Sequence, residues 1–141
     1  MGCKVNGYCS DMTRTIFIGP PTSEQKRVYD LVLKNQERVL NDICDGANIK
    51  TITRSVISDF EINGYDLIHS LGHGVGLEIH EKPYINIKNE TILKEDMVIT
   101  NEPGIYIPGN FGIRIEDTVL VTKQGSLVLT ESNKECIILE V

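Results

Sequence analysis

Residues 69–81, HSLGHGVGLEIHE, hold all three histidines of this 141-residue chain within twelve positions. His69 and His73 are four apart, the spacing that puts two zinc ligands on one face of a helix. That motif needs a glutamate straight after the first histidine, and Ser70 stands there instead. Gly72, Gly74 and Gly76 argue further against a helix. They suit backbone that comes close to a ligand, an ion or another strand. No Gly-Lys-Ser/Thr follows, so the segment is not a phosphate loop. A glycine-rich turn accounts for one stray histidine. Three in so short a span point to a site.

With 69–81 read as extended chain, the second half becomes a series of strands. Residues 93–101 and 111–122 carry strand signals, residues 123–125 (KQG) read as a turn, and 127–130 pair back as a hairpin. A last strand is expected over 135–141. Residues 3–18 alternate and are rich in Thr, Ile and Val, which predicts two short strands or one bent hairpin, stopped by Gly19-Pro20-Pro21. Thr22 and Gln25 have capping-box spacing. They open a helix over 23–45 with an apolar stripe of Val28, Leu31, Val32, Val39 and Ile43, and Gly46 as its stop. A second helix is expected over 51–62, burying Ile52, Val56 and Phe60, with Asn63-Gly64 at its end. Strands, two helices, then strands make an α+β domain, with a curved, mainly antiparallel sheet and the helices on one face.

The totals narrow the function classes. The length is that of one domain. With 40% hydrophobic and 24% charged residues the chain is globular rather than disordered. A net charge of -6 argues against a nucleic-acid partner, which would want a basic face. No apolar run approaches the roughly 20 residues of a membrane span, and no signal-peptide pattern opens the chain. A cytoplasmic location is therefore expected. Cys3, Cys9, Cys44 and Cys136 show no CxxC pairing, so free and mostly buried thiols are expected. The gap from Cys3 to Cys9 matches no common zinc spacing.

Other residues with chemistry sit beside rigid backbone. Glu102 precedes Pro103, which forces it toward extended geometry at a strand end. Arg114 and Glu116 share a strand face with Thr118 by period two, and Asp11 shares one with Thr13 and Thr15. Each alone reads as well as a solvated turn or strand residue.

Together they form a pattern. GYCSDMTRT (residues 7–15), GHGVGLEIHE (72–81), NEPGIY (101–106) and GIRIEDTVLVT (112–122), in that order, resemble the M24 "pita-bread" metallopeptidases. The TRT after the aspartate and the histidine upstream of GHG are similar to the Xaa-Pro dipeptidase (prolidase) and Xaa-Pro aminopeptidase branch rather than to methionine aminopeptidase. The resemblance implies a site for two divalent ions held by Asp11, His73, Glu102 and Glu116. It implies that Glu102 also handles the proton of the attacking water. His69 and His80 would contact substrate, and Arg114 would assist in the proline-specific enzymes. Oxygen ligands with one imidazole favour manganese, with cobalt, iron or zinc as substitutes. Two ions lower the pKa of a shared water. Glu102 would need a raised pKa to shuttle its proton. The substrate implied is a short proline-containing peptide. The short gap from Glu102 to Glu116 leans toward the dipeptidase side.

The pattern is one carboxylate short. The family's D-x-G aspartate would precede Met1, since Gly2 fits the glycine of that segment. Residues 1–141 are thus expected to be the C-terminal part of the catalytic domain, half of a pita-bread fold, without the first half and the N-terminal domain. Three expectations follow: a weakened second ion site with impaired activity, an apolar sheet face left exposed, and homo-oligomerisation or association with the missing part. The alternatives are a non-catalytic pita-bread module that binds peptides or proteins, and a methionine aminopeptidase.

Overall fold

The computed structural model describes residues 1–140. Thr22 caps α1 (Ser23–Asp42) through the expected reciprocal pair: Gln25 N donates to Thr22 Oγ1 at 3.2 Å, and Thr22 N to Gln25 Oε1 at 2.8 Å. Val28, Leu31, Val32 and Val39 are buried as the 3.6 period predicts, and Asn35 and Gln36 lie on the same buried stripe. The helix ends three residues short of the expected Asp45. Ile43 turns extended at φ -79° and ψ 115° and is only 1% exposed, so core burial draws the chain off the helix before Gly46 is reached. Gly46 serves the turn that follows, at φ +88°. The second helix, α2 (Ile49–Ile62), starts two residues earlier than expected, because the Asn48 side chain accepts from Thr51 N at 3.0 Å and caps it. Ile49, Ile52, Val56 and Phe60 face the core.

The strands before α1 are β1 (Lys4–Val5), β2 (Tyr8–Cys9) and β3 (Ile16–Ile18). After α2 come β4 (Gly72–Gly74), β5 (Glu81–Ile85), β6 (Val98–Asn101), β7 (Gly104–Ile107), β8 (Phe111–Arg114), β9 (Asp117–Thr122), β10 (Gly125–Val128) and β11 (Ile137–Leu139). The main sheet runs β10-β9-β6-β4-β5 and is antiparallel throughout. Two antiparallel ribbons, β1-β2 and β7-β8, flank it, and β3 pairs with β11 in parallel. The last of these covers part of the strand expected over 135–141, of which Val141 lies outside the described residues.

The single strand expected over 111–122 is two. The chain leaves the β7-β8 ribbon at Arg114, crosses at Ile115 and Glu116, and enters the main sheet at Asp117. At the crossing Ile115 N reaches Pro103 O at 3.4 Å, and Glu116 forms an isolated antiparallel bridge with Thr13. Asp11 likewise lies on irregular chain rather than in a Thr-rich strand. In the main sheet Ile99 pairs with Val119 and Asn101 with Asp117, and Ile99 and Val119 are buried in the helix-packed core. The intervening pair, Thr100 and Thr118, points to the opposite face. That second face carries the site.

All four cysteines are free, but the burial expected of them is not found: Cys3 is exposed and the other three are half-buried. Cys3 and Cys9 stand at the surface β1-β2 hairpin rather than in the core.

Candidate metal centre

His73 sits at the centre of β4, flanked by strands on both sides, and is 5% exposed. Its glycine neighbours permit this. A Cβ at Gly72 would overlap the carbonyl of Thr100 in β6, and one at Gly74 the carbonyl of Lys82 in β5. The backbone N–H of His73 donates to Thr100 Oγ1 at 3.0 Å. Its ring Nδ1 lies 3.0 Å from Gly74 O. A proton on Nδ1 satisfies that carbonyl, so it is Nε2 that, once deprotonated, presents its lone pair to the site, the tautomer a metal ligand needs.

Three carboxylates gather around that nitrogen. Glu102, extended before Pro103 at the end of β6, places Oε1 3.2 Å from His73 Nε2. Thr100 Oγ1 donates to the same oxygen at 3.1 Å. Asp11, between β2 and β3, brings Oδ2 to 3.7 Å from Nε2, and its carbonyl is fixed by Thr118 Oγ1 at 2.7 Å. Glu116, 2% exposed, accepts from Thr13 Oγ1 at 2.6 Å. His73, Glu102 and Glu116 each offer a ligand atom, all within 4.8 Å of one another. Asp11, His73 and His80 form a second such group.

The charges are unbalanced in this pocket. Burial pushes Glu116 above the usual carboxylate range, and the charges of Glu102 and Asp11 push it further, against the Thr13 hydrogen bond. Burial pulls His73 down, yet the Glu102 hydrogen bond, the Gly74 carbonyl and the charges of Glu102 and Asp11 leave it raised overall. Burial acts upward on Glu102 too, but its bond and charge pairing with His73 hold it below its ordinary value. The expectation of a raised Glu102 is thus reversed: the neighbouring imidazole stabilises its ionised form, and Glu116 carries the upward shift. Three carboxylates crowded this way around one imidazole are what a divalent cation would balance. The donor set of carboxylate oxygens and one imidazole fits such an ion.

The remaining expected residues line the same region. His80 is exposed, with its ring centroid 4.3 Å from that of His73. His69 Nδ1 lies 2.7 Å from Ser70 O, and its ring meets Tyr106 edge-on at 5.4 Å between centroids. Its Nε2 is buried with no hydrogen-bond partner among the described residues. Gly104 lets it in, because a Cβ there would stand 3.0 Å from that nitrogen. Arg114 is held by Thr13 Oγ1 and Tyr106 Oη, each at 3.1 Å, and its Nε lies 3.9 Å from Glu102 Oε2.

Thr13, Thr100 and Tyr106 are contacts that the sequence reading did not single out. Thr100 had a signal: it lies two residues before Glu102 on one strand face. Thr13 and Tyr106 had none beyond membership of the quoted motifs, since each acts on a residue about 8 to 103 positions away.

The sequence model of metallopeptidase family M24 matches residues 1–123. The chain belongs to that family. It is 49% identical over 138 residues to the Xaa-Pro dipeptidase of Pyrococcus furiosus, an alignment covering 96% of this chain and 39% of that protein. Its M24 fold is similar to that of the X-Pro aminopeptidase from Thermotoga maritima, with TM-score 0.94 and 41% identity over 98% of this chain and 40% of the other. The prolidase from Pyrococcus horikoshii gives TM-score 0.93 and 46% identity over 96% and 40%. The two helices and open, mainly antiparallel sheet are therefore pita-bread architecture. The chain spans about two fifths of the length of the curated relatives it matches. No helix among the described residues is long and apolar enough to cross a membrane.

Proposed function

We propose that this chain carries the metal-binding and proton-handling part of an Xaa-Pro peptidase of prolidase type, acting on short proline-containing peptides. The observation that carries the reading is the convergence of Asp11, Glu102 and Glu116, from three distant segments, around the free nitrogen of His73. The names of the relatives support the proline specificity.

In this reading Asp11, His73, Glu102 and Glu116 hold divalent metal, manganese first by donor type, with cobalt, iron or zinc as substitutes. When bound, such ions supply Lewis acidity, polarising the scissile carbonyl and acidifying water. The protein groups do the rest. Glu102, kept ionised beside His73 and fixed by Thr100, accepts the proton of the attacking water and passes it to the leaving proline nitrogen. His80, at the exposed rim, and His69, whose Nε2 lacks a partner among the described residues, contact the substrate. Arg114, tied to Tyr106 and Thr13, keeps the second oxygen of Glu102 oriented.

Three carboxylates and one imidazole suffice to hold one ion well. A second ion of equal affinity needs a further carboxylate to balance its charge. Residues 1–141 are accordingly read as the C-terminal portion of a catalytic domain. The β3-β11 ribbon exposes Ile16, Ile18, Ile138 and Leu139, an apolar surface that favours association with further chain or a second copy. A monomer by light scattering at high concentration would refute the association.

Manganese titration of the chain, followed by a glycyl-proline hydrolysis assay with and without metal, tests the reading. It expects one ion bound tightly through His73 and hydrolysis that is weak or absent. Two tight ions would contradict the donor count, and metal binding unaffected by His73→Ala would overturn the site.

A further inference from the structure

Behind the pocket lies a second charged cluster, in which Arg14 has every donor engaged. Its Nε donates to Asn133 O at 3.0 Å. Nη1 donates to Thr13 O at 2.9 Å and Glu116 O at 2.6 Å, and Nη2 to Asp117 Oδ1 at 2.7 Å and Ser132 O at 2.8 Å. A guanidinium has five N–H groups, and all five are used. The side chain is 9% exposed, and that of its partner Asp117 is fully buried. The other oxygen of Asp117 accepts from Gln36 Nε2 at 2.7 Å and Lys134 Nζ at 2.9 Å. Lys134 also donates to Gln36 Oε1 at 3.0 Å.

The two carbonyls that Arg14 grips through Nη1 belong to Thr13 and Glu116, the residues bridged across the site. Glu116 N already donates to Thr13 O at 3.0 Å, and Thr13 Oγ1 to the Glu116 carboxylate. Asp11 precedes Thr13 by two residues, so one guanidinium fixes the spacing between the segments that bring Asp11 and Glu116 to the pocket. The cluster holds two cations and one anion. Its surplus positive charge lies behind a pocket of three carboxylates, where it offsets their mutual repulsion. Arg14 belongs to the matched M24 region, whereas Ser132, Asn133 and Lys134 lie beyond its end at residue 123.

We propose that Arg14 is a positioning residue for the metal centre, and that the Ser132–Lys134 segment and Asp117 hold it in place. Arg14 touches neither metal nor substrate. It acts by setting the separation of Asp11 and Glu116, and the C-terminal segment thereby becomes part of the site's architecture. This inference rests on the metal-site reading above.

The test is Mn2+ affinity of the full chain by calorimetry, corrected for the folded fraction by circular dichroism. Arg14→Lys keeps the charge but cannot make five directed bonds. It should weaken Mn2+ binding about tenfold or more, the scale of outer-shell losses at metal sites. Arg14→Met should weaken it further. Lys134→Met, at the rim of the cluster, should give a loss of about threefold, below that same scale, and it remains measurable if Arg14→Met does not fold. Val56→Ala, a truncation in α2 that lowers stability without touching the site, should leave the affinity of the folded chain unchanged. If wild-type chain binds no Mn2+, the metal-site reading fails and this inference with it. If wild type binds but Arg14→Lys and Lys134→Met bind equally well, Arg14 is structural only and the proposal is overturned. The proposal is equally overturned if Val56→Ala weakens binding as much as Arg14→Lys.

Discussion

Glu116 and Asp117 are neighbours, both carboxylates and both buried, yet they face opposite electrostatic surroundings. Glu116 turns to the open face, where Glu102 and Asp11 repel it and one threonine hydroxyl is its hydrogen-bond donor. Asp117 turns to the helix face, where Arg14, Lys134 and Gln36 all donate to it. A one-residue step across a sheet exchanges an under-neutralised carboxylate for a compensated one. The lesson is that the fold completes its own charge balance behind the sheet and leaves the front carboxylates without a side-chain cation of equal weight.

The largest effect should come from breaking the compensated side. Asp117→Ala strands two cations and is expected to cost about 3–5 kcal/mol in urea unfolding, the usual loss when one partner of a buried pair is removed. Glu116→Gln should be nearly neutral in metal-free protein, because it removes a charge its neighbours repel. Equal costs for the two variants would erase the contrast.

Added Mn2+ sharpens the contrast next. At about 100 times its Kd it should stabilise the wild type by about 2.7 kcal/mol, and it should do nothing for Glu116→Gln if that carboxylate is essential to the site. Full stabilisation of the variant would show that the front face does not depend on Glu116. Smaller again is Thr100→Val, which deletes a hydroxyl serving both His73 N and Glu102 Oε1. A loss of about 1 kcal/mol in denaturant unfolding is expected, and no loss would mean that Glu102 is positioned by other means.

The smallest effect is in pH. The folded value of His73 is raised above 6.5, so its contribution to metal-free stability is fully present below that pH and fades as pH rises through the folded value. Mn2+ must displace a proton from the same ring, so its affinity should climb over the same interval. A Mn2+ affinity that is flat with pH across neutrality would exclude His73 as the ligand.

The open face was more legible in the sequence than the helix face. Its residues announce themselves locally, as a histidine between glycines, a glutamate before proline and an aspartate among threonines. The other side is a product of distance. Gln36 lies on the helix stripe 81 residues from Asp117, and Lys134 follows it by 17. Nothing local marks either as a partner. The crossing at Glu116 was hidden for a related reason: Ile113, Ile115, Val119 and Val121 keep one period-two register across the polar Glu116-Asp117-Thr118 run, so a chain changing from one sheet to another looks like one strand. The helix ends failed by a few residues because Ile43 answers to the core rather than to the nearest glycine.

The parallel pairing of Ile16–Ile18 with Ile137–Leu139 has a kinetic meaning. It joins segments from opposite ends of the chain, and closing so long a loop is among the slower events of folding. The segment that leads from Asp11 through Arg14 into β3 is thus secured late. In a stopped-flow refolding experiment, helical signal should recover first and the capacity to capture Mn2+ should lag behind it.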